Sequence, residues 1–75
     1  IEDRVVVYPN PASEYLIVSG LEGSSKVEIY TLTGQLVQNH DFDDEVQINL
    51  DLNTGMYLVK VSNGFQSTTK KIIVK

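Results

Sequence analysis

In the stretch Lys26-Val27-Glu28-Ile29-Tyr30-Thr31, apolar and polar side chains alternate one for one. That period places Val27 and Ile29 on one face of a strand and Glu28 and Tyr30 on the other, so the first pair is expected in the core. The same period runs through nearly the whole chain with Val and Ile dominant, and no segment carries apolar residues at helical spacing over a helical length. Strands are therefore expected at Val5 to Tyr8, Tyr15 to Ser19, Lys26 to Thr31, Gln35 to Asn39, Val46 to Leu50, Met56 to Ser62 and Phe65 to Val74. Between them, Gly20-Leu21-Glu22-Gly23-Ser24-Ser25 has the composition of a loop, Thr33-Gly34 closes a tight hairpin, and Asn63-Gly64 favours a type I′ turn. About seven antiparallel strands without helices predict an all-β fold, a small immunoglobulin-like β-sandwich cut shorter than the roughly 100 residues that fold usually takes. A small, partly open barrel is the alternative. The segment Met56-Tyr57-Leu58-Val59-Lys60-Val61 is apolar on both faces, which suits a central strand covered on both sides or one whose outer face meets something else.

At 75 residues the chain makes one domain, 1–75, and its hydrophobic fraction of 41% is that of a folding chain. With no Cys, disulfides and thiolate zinc sites are excluded, so sheet packing must carry the stability. Six basic against ten acidic residues give a net charge of -4, which argues against nucleic acid or an anionic membrane as a general partner. The opening Ile1-Glu2-Asp3-Arg4 has no basic or apolar leader character, and Ile1 reads as a fragment boundary.

Tyr8-Pro9-Asn10-Pro11 forms a stiff corner. The two prolines fix their own φ, restrict Tyr8 and Asn10, and remove two backbone donors, which blunts pairing where an N-terminal edge strand would invite another chain.

Reactive groups are sparse. There is one His, no Cys and no Gly-rich phosphate loop, so no catalytic residue, metal site or cofactor site is expected and the chain does not read as an enzyme. His40, beside Asp41, reads as a solvated loop residue, and Ser13 and Glu14 read as turn residues. Asp41-Phe42-Asp43-Asp44-Glu45 offers carboxylates for calcium but lacks EF-hand spacing, and reads as a charged connecting loop. Tyr8, Tyr15, Tyr30 and Tyr57 would make a sugar platform only if grouped, and alternation disperses them over different strands.

Taken in order, "VYPNPASEYLIV", "VEIYTLTGQLV", "INLDLNTGMYLVKVSNG" and the basic-apolar ending "KKIIVK" resemble the type A C-terminal sorting domain of cargo exported by the type IX (Por) secretion system of Bacteroidota. The resemblance runs from about Val5 to Lys75. Pro9, Asn10 and Pro11 fit the family's opening motif, Gly34 its central turn, Leu52, Gly55 and Tyr57 its Leu-x-x-Gly-x-Tyr motif, and Lys70, Lys71, Val74 and Lys75 its terminal basic stretch.

The resemblance implies an address rather than an activity. A passenger linked covalently at the N-terminal side is carried through the periplasm to the cell surface or the medium. The domain is read by the type IX translocon and its outer-membrane shuttle protein, and cut off by a sortase-like cysteine peptidase near or before Ile1. Gly55, Tyr57 and the Lys70 to Lys75 stretch are the expected recognition residues. Against that stand turn geometry for Gly55, core packing for Tyr57 and a solvated edge strand for Lys70, Lys71 and Lys75. The last strand is expected to offer an edge for strand addition or a basic-apolar patch, and unpaired edges predict dimers of the isolated domain. A carbohydrate-binding or adhesive sandwich module is the alternative function, and a spacer between domains a third.

Overall fold

The computed structural model describes residues 5–75, so the reading of Ile1-Glu2-Asp3-Arg4 lies outside the described residues. Five strands follow in order: β1 (Val6–Tyr8), β2 (Tyr15–Thr31), β3 (Leu36–Asn49), β4 (Gly55–Ser62) and β5 (Ser67–Val74). All pair antiparallel.

The count falls from seven to five because two expected connections are themselves strand. Gly20 to Ser25 continues β2 instead of looping out, and Asp41 to Glu45 lies within β3 instead of forming a connecting loop. Seventeen residues of straight strand would span roughly 55 Å at the usual rise. The molecule measures 31 × 22 × 20 Å. β2 must therefore bend, and β3, paired with it along most of its length, bends with it. At the bend Gly20 and Gly23 take φ of 112° and 80°, and Asp44 opposite takes 66°. The pairing steps from Ser19↔Glu45 to Ser24↔Asp43, so residues 20–23 face the single residue Asp44. The extra residues turn the ladder, as a bulge does. The Asp44 carboxylate accepts the Gly23 N–H at 3.0 Å, which supplies a partner for the donor on the bulged strand.

The bend makes two layers. One holds β1, the first part of β2 and the last part of β3; the other holds β5, β4, the second part of β2 and the first part of β3. Their inner faces meet in one apolar core. Leu16, Val18 and Ile48 come from the first layer, and Val27, Ile29, Val59, Val61, Ile72 and Val74 from the second, all almost wholly buried. The chain is thus the immunoglobulin-like β-sandwich that alternation predicts, with Val27 and Ile29 inside.

The turns differ in how well the sequence announces them. The β2–β3 turn closes through Gly34 N–H to the Thr31 carbonyl (3.0 Å) and Thr31 N–H to the Gln35 carbonyl (2.9 Å), with Gly34 at φ 96°. The β4–β5 turn is not type I′, which needs positive φ at both central residues; of Asn63 and Gly64 only Gly64 has it. The Asn63 side chain instead accepts the N–H groups of Phe65 and Gln66 at 3.1 and 2.9 Å, and the Asn63 N–H donates to the Gln66 carbonyl. This makes a four-residue loop, and β5 begins at Ser67 rather than Phe65.

Ile29 is fully buried where the two layers meet. Ile29→Ala is expected to cost about 3 kcal/mol, most of the roughly 3–5 kcal/mol available to a domain this small. Urea unfolding followed by circular dichroism should show the midpoint falling sharply, and a shift below about 1 kcal/mol would mean that the core does not converge on this residue.

Candidate recognition surface

The Pro-Asn-Pro corner leaves β1 and crosses to the outer edge of β5. Both Tyr8-Pro9 and Asn10-Pro11 peptide bonds are cis. Asn10 then behaves like a length of strand made from a side chain: its Oδ1 accepts the Ile73 N–H at 3.1 Å and its Nδ2 donates to the Lys71 carbonyl at 3.3 Å. One residue after Pro11, Ala12 donates to the Ile73 carbonyl and accepts the Lys75 N–H, each at 2.8 Å, in a short parallel bridge to Val74. Ala12 is buried, while Pro9, Asn10 and Pro11 are exposed. The edge that the motif blunts is therefore that of β5, not that of β1. From Lys71 to Lys75 the last strand offers no open edge for strand addition, contrary to the expectation from sequence.

Leu52, Gly55 and Tyr57 are tied to the same end of the core. Leu52 packs against the core cluster, and Tyr57, buried, donates its hydroxyl to the Asn53 carbonyl at 2.8 Å. A phenol that folds back onto backbone a few residues upstream fixes the entry into β4 in the manner of a tyrosine corner. Turn geometry does not explain Gly55. It lies outside the positive-φ glycines, begins β4 opposite Val74, and an added Cβ would meet only the Tyr57 ring at 3.9 Å.

The terminal lysines alternate along the last strand. Strand alternation sets Lys70 on the same side as Ile72 and Val74, half-buried at a cleft of about 260 Å³ that Val5, Val7, Asn10 and Lys71 also line. Lys71 and Ile73 lie on the opposite, outer side, and Lys75 follows the strand with its N–H on Ala12.

That outer side holds what sequence reasoning did not single out. Across the four strands of this layer Ile73 stands opposite Met56, Lys71 opposite Leu58, Leu58 opposite Tyr30, and Tyr30 opposite Leu36. Met56, Ile73 and Leu36 are 42, 40 and 43% exposed, while Leu58 and Tyr30 are half-buried. Partial burial, and then the Glu28 carboxylate beside it, hold the Tyr30 phenol above its ordinary pKa. The signal was the segment 56–61, apolar on both faces. Its inner face is core and its outer face is open.

The other candidates stay apart. His40 Nε2 lies 3.1 Å from Gln38 Oε1 rather than on Asp41, which pairs with Lys26 across the strands. Asp43 accepts the Ser24 hydroxyl at 3.3 Å, and Asp44 is engaged with Gly23. Among the described residues no group of three or more His, Asp or Glu could hold a metal ion. Tyr8 and Tyr15, both 41% exposed, flank Ile17 on the outer face of the first layer, whereas Tyr30 is on the other layer and Tyr57 in the core.

The class is then set by the fold: a self-closing β-sandwich whose motif residues Asn10, Leu52 and Tyr57 fasten strands together. A family model, secretion system C-terminal sorting domain, matches residues 6–75, and the chain belongs to that family. Among solved structures it is similar to PorZ, an essential bacterial surface component of the type IX secretion system of Porphyromonas gingivalis, with a TM-score of 0.82 and 26% identity. The likeness covers 95% of this chain and 11% of that one, so the domain corresponds to a small part of that protein. No curated protein matches the sequence. The chain is a type IX sorting domain, a signal for transit through the secretion system toward the cell surface or the medium.

Two substitutions separate fastening from recognition. Asn10→Ala removes both bonds to β5 and is expected to cost about 1 kcal/mol; hydrogen exchange at the Ile73 amide should speed up by about fivefold, and unchanged exchange there would deny the clasp. Gly55→Ala should leave thermal stability within about 0.5 kcal/mol or raise it slightly, because the backbone conformation suits alanine. A loss of more than about 2 kcal/mol would show that the fold itself requires glycine there.

Proposed function

We propose that this domain is the folded export address of a passenger attached at its N-terminal side, read in the periplasm by the outer-membrane shuttle protein and the translocon. A sortase-like cysteine peptidase then removes it. The domain acts as substrate and signal and performs no catalysis. The observation that carries the reading is the family match over residues 6–75, on a chain whose opening motif clasps its own last strand. A receptor that serves many passengers gains from a rigid tag, since affinity is not lost to ordering loose segments.

Self-pairing through sheet edges is no part of this address. Among the described residues the long open edge belongs to β3, which pairs with β2 alone. Its exposed Asp41, Asp43 and Glu45, with the positive-φ backbone at Asp44, oppose a second copy there.

Deleting Lys70 to Lys75 would remove Ile72 and Val74 from the core and test folding rather than address. The decisive comparison fuses residues 1–75 behind a periplasm-directed fluorescent reporter in a type IX host, beside the reporter alone. Only the fusion should reach the surface or the medium, shortened by about the domain's 8.4 kDa; in a host without the peptidase it should keep its full length. Retention of the fusion in a host that exports its own cargo would overturn the reading, and would turn attention to the face of Tyr8, Ile17 and Tyr15 as a glycan platform.

A further inference from the structure

We infer that the secretion machinery reads this domain through the outer face of the β3–β2–β4–β5 layer, at the patch formed by Ile73, Met56, Leu58, Tyr30 and Leu36 with Lys71 at its border. The occupant is a folded protein surface, apolar at its centre and carrying a carboxylate opposite Lys71. The inference rests on the sorting function and names the surface that serves it.

Three observations converge. First, the patch is contiguous. The strand register sets Ile73 against Met56, Leu58 against Tyr30, and Tyr30 against Leu36, so neighbouring side chains on one face are apolar across four strands. Single exposed apolar residues are ordinary, whereas a grouped set marks a contact surface. The rest of the same face is polar: Lys60 opposes Glu28 and Thr69, Lys26 opposes Asp41 and Ser62, and Ser62 opposes Ser67. The apolar group is thus confined to one end.

Second, the cation at that end has no carboxylate across the strands, while the nearest acid, Glu28, is engaged with Tyr30. The Lys60 and Lys26 side chains each have a carboxylate directly across the sheet, Glu28 and Asp41. Lys71 instead faces Leu58, and Asn10 engages only its backbone carbonyl. A cation with an apolar cross-strand neighbour is complementary to a partner that brings its own carboxylate, the arrangement that selects partners and fixes register at interfaces.

Third, the size suits a transient docking contact better than a second copy of this chain. A stable pair buries about 800 Å² per partner, roughly a sixth of this domain's 4760 Å². Five side chains, none more than 43% exposed, supply only part of that. A cargo signal must also be released after use, which a small apolar centre with a polar rim allows. Edge pairing is closed along Lys71 to Lys75 by Asn10 and Ala12, so side chains on the face, not backbone on the edge, are what this end presents.

The test uses the 1–75 reporter fusion with M56E/I73E, a control S62E/T69E at the polar end of the same face, and M56T/I73T as a gentler pair that strands accept well. Melting and circular dichroism of each domain establish folding. The expected result is export of the control at the parent level and a fall of about tenfold or more for M56E/I73E, the scale of an interface hot spot, with M56T/I73T intermediate. If M56E/I73E fails to fold, M56T/I73T alone decides: a folded threonine pair exported at the parent level overturns the inference. So does parent-level export of a folded M56E/I73E. Retention of the parent fusion removes the sorting function and the inference with it, whereas export of parent and variants alike removes only the inference. Size exclusion of the isolated parent provides the last arm: a dimer that M56E/I73E abolishes would assign the face to a second copy and overturn the proposal as well.

Discussion

Two strands too long to lie flat govern this fold. With β2 running from Tyr15 to Thr31 and β3 from Leu36 to Asn49, a single bent ladder serves both layers, and everything else attaches to one half or the other. β1 takes the edge of β2 before the bend and β4 takes it after. The bend needs backbone that L side chains seldom adopt, which Gly20 and Gly23 supply on one strand and Asp44 on the other. Without it Leu16, Val18 and Ile48 would have no opposing layer, and a sheet with one bare apolar face is not a stable domain.

Closing the sandwich leaves the last strand as the natural weak point, since an edge strand exposes unpaired donors and acceptors. The chain meets this with a side chain. Asn10 offers a donor and an acceptor with the spacing of a peptide group, and Ala12 continues with its own backbone. The stiff corner that opens the motif thereby holds the start of the domain against its end. Motif residues that invite a reading as recognition elements, Asn10, Leu52 and Tyr57, are fasteners: each has an internal partner that accounts for it. A signal built this way is a shape, and it exists only when the chain is folded.

Much of this was legible in the sequence because alternation is a direct image of burial. Val27, Ile29, Val59 and Val61 are inside as their period requires, and the Thr33-Gly34 turn closes where glycine permits. The bend was not legible, because glycines and serines that bulge a paired strand have the same composition as those that leave it. The acidic stretch misled for a related reason: Asp41 and Asp43 are exposed on a strand, and local composition does not distinguish an exposed strand face from a loop. At Asn63-Gly64 the side chain of Asn63 competes for backbone donors and selects another turn. The partner of Asn10 lies 61 residues away in the sequence, a separation at which no local pattern speaks.

The apolar outer face of β4 was visible as a segment hydrophobic on both sides, and its meaning depends on the edges. Where Lys71 to Lys75 are clasped, a partner cannot add a strand; where β3 is open, carboxylates and the kinked backbone at Asp44 stand in the way. Both easy routes to backbone pairing are thus obstructed in a chain whose net charge of -4 already discourages self-association. What remains is a face. Exposing Met56, Ile73 and Leu36 together costs solubility without adding to the core, and the domain's own packing gives no reason for it. A rigid sheet that holds such side chains in fixed register offers a partner a surface already ordered before contact, so little conformational entropy is lost on docking. Rigidity gained by closing the edges thus makes the open face readable.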